Sequence, residues 1–208
     1  MAISNYSELT TAVANWLDRD DLTDRIPEFI ALAEARMNRV LRLRMMEGKY
    51  TASTVGSQRN YNLPAGYIQM RNFQINTTPI TPVQYVSPEI YDRLWGGSNS
   101  GTPQFYTIIA NEIQLGPIPS SVMTMEMLFY KKISALSNTN TTETMLTDNP
   151  DIYLYGALLE AEPFIMNDER VPLWMQGFNQ AVADLQEQDN KDRHSGSALR
   201  VMNTGGYY

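Results

Sequence analysis

The stretch over 149–192 constrains this chain more than any other. Asn149-Pro150-Asp151 opens a helical pattern carrying Tyr153, Tyr155, Leu158 and Leu159, and after the polar break Asn167-Asp168-Glu169-Arg170 a second pattern follows on Trp174, Phe178, Val182 and Leu185. Pro172 falls in the first turn of that second helix, where a missing N–H costs nothing. Pro163, inside the first, is expected to end or kink it near Glu162. Two helices joined by so short a turn pack antiparallel, as a helical hairpin.

The N-terminus carries the same kind of pattern. Leu9, Val13, Trp16 and Leu17 recur at helical spacing behind the candidate caps Ser4, Asn5 and Ser7, which predicts a helix over about 5–18. Residues 18–24 form a polar turn, and Pro27 lies in the first turn of the next helix. The apolar face Ile26, Phe29, Ile30, Ala33, Met37, Val40 and Leu41 predicts that this helix runs to about Arg44. Arg36, Arg39, Arg42 and Arg44 crowd its C-terminal half, where cations suit the negative end of the helix dipole. Two readings fit this row: a solvated helix face, or guanidinium groups that meet the carboxylates of a neighbouring subunit.

Between the helical ends, over 48–136, the texture changes to Thr, Tyr, Ile and Val in short runs punctuated by Pro and Gly, the pattern of β structure. Strands are expected at 49–55, 67–76 and 80–86, a helical turn after Ser87-Pro88, and a flexible loop at 96–101. The clearest hairpin is Phe105–Ile109, a turn at Ala110-Asn111-Glu112, and Ile113–Leu115. Residues 122–132 make the longest strand, with Met123, Met125 and Met127 on one face as adaptable core filler. Residues 137–147 read as a loop. The fold class is therefore α+β, with a helical hairpin at each end forming a four-helix bundle over 1–46 and 148–193. An antiparallel β-rich domain is inserted at 47–147, and an extended tail follows at 194–208.

Composition removes several classes of function. With no cysteine and one histidine, His194, the chain has no thiol nucleophile, thiolate zinc site or histidine-rich metal site, and no cofactor is expected. There is no Gly-rich phosphate loop, no His-Glu-x-x-His and no Gly-x-Ser-x-Gly. The acid pairs Glu160 with Glu162 and Asp168 with Glu169 stand one or two positions apart and so point in different directions on a helix, which makes paired acid–base work awkward. Of the net charge of −7, six charges lie after Leu146, where ten acids face four bases, and an acidic surface disfavours groove binding to DNA. No apolar run approaches the roughly 20 residues that span a bilayer, and the N-terminal Met-Ala-Ile-Ser-Asn-Tyr lacks a signal core, so a soluble product of the cytoplasm is expected.

The run Asn149-Pro-Asp-Ile-Tyr-Leu-Tyr-Gly-Ala-Leu-Leu-Glu-Ala-Glu-Pro-Phe, followed by Asp168-Glu-Arg-Val-Pro-Leu-Trp, resembles the C-terminal hairpin of tailed-phage head-to-tail adaptor proteins, including the tail tubular adaptor of short-tailed phages. The region from Tyr106 to Leu136, ending in Lys131-Lys132-Ile133-Ser-Ala-Leu136, and the layout of 6–46 are similar as well. The resemblance implies a non-enzymatic virion component, made in the bacterial cytoplasm. It would form a dodecameric ring between the portal protein and the tail nozzle protein, through which packaged DNA passes without sequence-specific binding and without a membrane. A weakly attracting wall would suit that passage.

The tail at 195–208 adds a physical argument for assembly. Ordering its backbone costs about 1–2 kcal/mol per residue, more than its apolar side chains Leu199, Val201, Met202, Tyr207 and Tyr208 return at about 1.5–3 kcal/mol each. Those five residues, with Arg36, Arg39 and Arg42, are the candidate contacts to the portal or a neighbouring subunit. Two other functions fit the residues. A carbohydrate-binding or adhesin module would use an aromatic cleft of Tyr85, Tyr91 and Trp95, and a tail-associated hydrolase would need close, differently buried carboxylates.

Overall fold

The computed structural model describes residues 3–97, 99–166 and 168–194. In chain order the elements are α1 (Tyr6–Leu17), a 3-10 turn (Asp20–Arg25), α2 (Ile26–Val40), a second 3-10 turn (Arg44–Met46), β1 (Glu47–Ser53), β2 (Asn60–Asn62), β3 (Tyr67–Ile75), β4 (Thr81–Pro82) and β5 (Gln84–Tyr85). There follow α3 (Pro88–Trp95), β6 (Ser100–Gly101), β7 (Phe105–Ile109), β8 (Glu112–Gly116), β9 (Ile118–Pro119), β10 (Thr124–Lys131), α4 (Thr144–Asp148), α5 (Pro150–Glu160), α6 (Glu162–Ile165) and α7 (Val171–His194). The fold is α+β, and the chain clusters into two compact units: residues up to Met45 with those from Ile133 onward, and Met46–Lys132. No helix among the described residues is long and apolar enough to cross a membrane.

In the helical unit, α1 begins where its sequence lets it. The Asn5 side chain accepts from the Glu8 N–H at 3.0 Å, and Glu8 accepts in return from the Ser4 N–H at 2.8 Å, so donors left orphaned at the helix start are satisfied in both directions. Helix α5 is buried on nearly every side, through Ile152, Tyr153, Leu154, Ala157, Leu158 and Leu159. A helix apolar all round belongs inside, and α5 packs against α1, α2 and α7. Gly156 makes room for that contact: a Cβ there would stand 3.1 Å from the Ala33 Cβ and 3.3 Å from the Phe178 ring. Helix α7 buries Val171, Trp174, Phe178 and Ala181 and then runs on to His194, with Val182 and Leu185 only half-buried.

Three local expectations are corrected here. Helix α2 stops at Val40 rather than near Arg44, because Leu41 turns extended (φ −93°, ψ 141°) and Leu41 and Leu43 leave the helical stripe to be buried. Val40, expected on the apolar face, is 48% exposed. The expected loop at 137–147 contains the start of α4, a helix of five residues whose Met145 and Leu146 are buried; a single turn is too short to show helical periodicity.

In the β unit, one sheet has the order β1-β10-β3-β4 and another β2-β8-β7-β5. Met125, Met127 and Phe129 of β10 alternate onto one face and join Phe73, Ile75, Tyr106, Ile113 and Leu115 in a core that draws on both sheets. Strands β7 and β8 form the expected hairpin, but Ile109 pairs with Glu112, so the turn is Ala110-Asn111 alone, with Ala110 left-handed at φ 53°.

The expected strand at 80–86 divides into β4 and β5, because Val83 between them turns into the core. The expectation of purely antiparallel pairing is also corrected. β5 pairs with β7 in parallel across the α3 crossover, and β6, in the expected loop, pairs in parallel with β9. Gly116 ends β8 beneath α3, where a Cβ would come within 2.9 Å of the Tyr91 ring and 3.1 Å of the Trp95 ring.

Candidate functional site

The arginine row of α2 does not act as one surface. Arg36 turns inward: its Nε donates to Glu160 Oε1 at 2.7 Å, its Nη2 lies 2.6 Å from the same oxygen, and its guanidinium sits 6.0 Å from the centre of the Phe178 ring. Arg42 Nη1 donates to the carbonyls of Asn38 at 2.9 Å and Leu41 at 2.5 Å, filling acceptors exposed where the helix stops. The Arg44 N–H donates to Asp189 Oδ1 at 2.6 Å, and its guanidinium lies 3.7 Å from Asp192 Oδ2. Arg39 is exposed and, among the described residues, has no carboxylate partner.

Around the end of α2, two depressions open beside α7. One, of about 430 Å³, is lined by Leu43, Arg44, Met45, Asp148, Asn149, Leu185, Gln188, Asp189 and Asp192. The other, of about 360 Å³, is lined by Val40, Arg42, Leu43, Gln186, Asp189, Asn190 and Arg193. Arg193 Nε closes the second by donating to Asp189 Oδ2 at 2.5 Å. Sequence reasoning missed Asp189 and Asp192; their spacing of three on a helix, facing a basic helix end, was the available signal.

The remaining candidates fall in different places. Leu199, Val201, Met202, Tyr207 and Tyr208 lie outside the described residues. Of the acid pairs, Glu160 is engaged by Arg36 and Glu162 is exposed, while the Arg170 guanidinium holds the Asp168 carboxyl below its ordinary range and Glu169 is exposed. Tyr91 is fully buried and donates to the Leu115 carbonyl at 2.8 Å, and Trp95 stacks on Phe105 at 4.6 Å, leaving only Tyr85 widely exposed. These three aromatics therefore make no open cleft for a sugar. Among the described residues no group of His, Cys, Asp or Glu could hold a metal ion.

A carboxylate that sequence reasoning passed over is the most perturbed of the acids. Glu34, 5% exposed, accepts from the Leu136 N–H at 2.9 Å. Burial pushes its pKa up to about 7, the Leu136 hydrogen bond opposes this, and Glu143 adds to it. The nearby Tyr153 hydroxyl is buried without a hydrogen-bond partner among the described residues, and burial, then Glu34 and Glu143, raise its pKa. Glu34 lies four residues after Ile30 and three before Met37, on the buried stripe of α2, so the helical period alone could have marked it.

Solvent instead meets apolar and charged side chains set side by side. Val40 lies beside Arg39, while Phe164, Met166 and Leu173 are interspersed with Glu162 and Glu169. The chain belongs to the SU10 adaptor protein family, a phage head-to-tail adaptor family, which matches it over residues 4–202. Comparison with curated proteins gave no match.

Proposed function

We propose that this adaptor assembles as a ring, dodecameric as the family resemblance implies, between the portal protein and the tail nozzle protein, and that it completes the channel through which DNA leaves the head. The family match across residues 4–202 carries this reading, since it embraces both compact units. The helices around α5 serve as the rigid body of each copy, arranged as a four-helix bundle of α1, α2, α5 and α7 that carries the β unit. The protein acts by docking rather than by catalysis, and DNA slides past without base-specific contacts. Leu199, Val201, Met202, Tyr207 and Tyr208, together with Arg36, Arg39 and Arg42, supply contacts to the portal or a neighbouring subunit. Arg36, already joined to Glu160, would contribute by holding α2 in place.

Electron-microscopy class averages of tail-complex particles test the reading directly: a ring of this protein seated on the portal is expected, whereas a single copy per virion would overturn it. Deleting 195–208 is expected to leave the melting temperature unchanged and to prevent stable incorporation into heads. Normal capping of portals by the truncated protein would remove that segment from the interface.

A further inference from the structure

Two exposed features of the helical unit are opposite in character. At the C-terminal end of α2, Val40 and the buried Leu43 line the depression of about 360 Å³ together with Gln186 and Asn190; its rim carries Arg42 and the paired Arg193 and Asp189, and one residue before Val40 stands Arg39, which has no carboxylate partner among the described residues. At the corner between α6 and α7, Met166 stands 81% exposed in a left-handed turn (φ 45°), flanked by exposed Glu162, Glu169 and Leu173. One feature is a mostly polar hollow with two apolar side chains and more bases than acids around it; the other is a protruding apolar side chain between acids. Neither Glu162 nor Glu169 has an ion-pair partner among the described residues.

The two cannot meet within one copy. The rings of Phe164 in α6 and Phe29 in α2 lie 5.3 Å apart, which ties the corner to the first half of α2. From Phe29 to Arg39 the helix climbs ten residues, about 15 Å at 1.5 Å per residue. A side chain as large as Met166 in open water forgoes burial worth about 1.5–3 kcal/mol, and a flexible methionine suits an irregular hollow.

We infer that the α6–α7 corner of one copy, led by Met166, docks into the hollow at Val40 and Leu43 of a second copy, with Glu162 and Glu169 meeting the basic rim at Arg39. Because the joined surfaces differ, the contact is head-to-tail; such a contact repeats from copy to copy and yields a ring if the rotation closes, or a filament if it does not. The inference builds on the ring proposed above and names the surfaces that join its copies.

The chain has no cysteine, so introduced thiols report one contact without background. Val40→Cys, Met166→Cys and the double variant, each first shown to melt like the parent chain, are assembled into tail-complex particles and treated with a short bismaleimide. The double variant is expected to give a ladder of multimers on a denaturing gel. Particles holding the two single variants mixed should give dimers only, and either single variant alone should give none. Dimers from one single variant alone would show like surfaces meeting and overturn the inference. So would the absence of cross-links in particles whose micrographs show a ring, and there the ring reading would stand. A ladder in particles without a ring would keep the contact and overturn the ring. Arg39→Glu and Glu169→Arg are each expected to lower incorporation, and their combination to restore it; no rescue would remove the charge pairing from the contact.

Discussion

Glu34 of α2 accepts the Leu136 N–H at 2.9 Å, and four residues on, Asn38 Oδ1 accepts the Ile133 N–H, also at 2.9 Å. One face of α2 thereby holds the chain where it re-enters the helical unit. The arrangement places a carboxylate in a dry site with one donor, beside the buried Tyr153 and in the field of Glu143.

A pH dependence follows. The Glu34 pKa is raised from 4.5 to about 7 in the folded chain, so the proton binds the native state more tightly. Its stabilising contribution is complete below about 4.5 and is lost as pH rises through 7, a difference on the order of 3 kcal/mol. Glu34→Gln keeps an acceptor for Leu136 and carries no charge. Urea denaturation should show the variant more stable than the parent at pH 8 and similar to it near pH 4.5. An unchanged slope between those values would show that Glu34 is solvated.

Trp174 is buried on α7, with the Arg170 guanidinium 5.1 Å from the ring centre. Truncation to alanine is expected to cost about 3–5 kcal/mol, the range for a large core aromatic. Thermal melting checks this, and a negligible shift would place the ring at an interface instead.

Gly156→Ala sets two effects against each other. Alanine favours a helix interior over glycine by about 1 kcal/mol, but the added methyl must push against Ala33 and Phe178. The Ala33 Cβ is fixed to its backbone and cannot swing aside, so overpacking, at about 1–3 kcal/mol, is expected to win. A higher melting temperature in the variant would mean that α2 and α5 slide apart easily.

Arg36→Ala removes a half-exposed pair with Glu160 and the cover over Phe178. Partial solvation limits the loss to about 1 kcal/mol. A double-mutant cycle with Glu160→Gln should return a coupling energy of about 0.5–1 kcal/mol, while Arg39→Ala should leave stability unchanged within about 0.5 kcal/mol.

The helix starts at Asn5, Pro27, Pro150 and Pro172, the β7–β8 hairpin and the inward methionines of β10 could be read from the residues themselves. Caps, proline's fixed φ and the period of alternation act within a few residues, so one sequence window contains their cause. The end of α2, the turn of α4 and the parallel pairs β5–β7 and β6–β9 could not be read that way. Each depends on where distant packing delivers a few side chains or a crossover, and short elements carry no period of their own. The arginines make the same point. As a sequence they are four similar cations, yet the Arg36 guanidinium is claimed by a carboxylate 124 positions away, that of Arg44 lies beside Asp192, 148 positions on, and Arg39 is left to solvent. Glu34 looked like one more polar residue until Leu136, 102 positions on, brought its N–H and dry surroundings to it. Local signals in the residues mark where most helices and strands begin, whereas tertiary packing sets which charge is paired, buried or left to solvent, because electrostatic and desolvation energies depend on distances that chain folding alone sets.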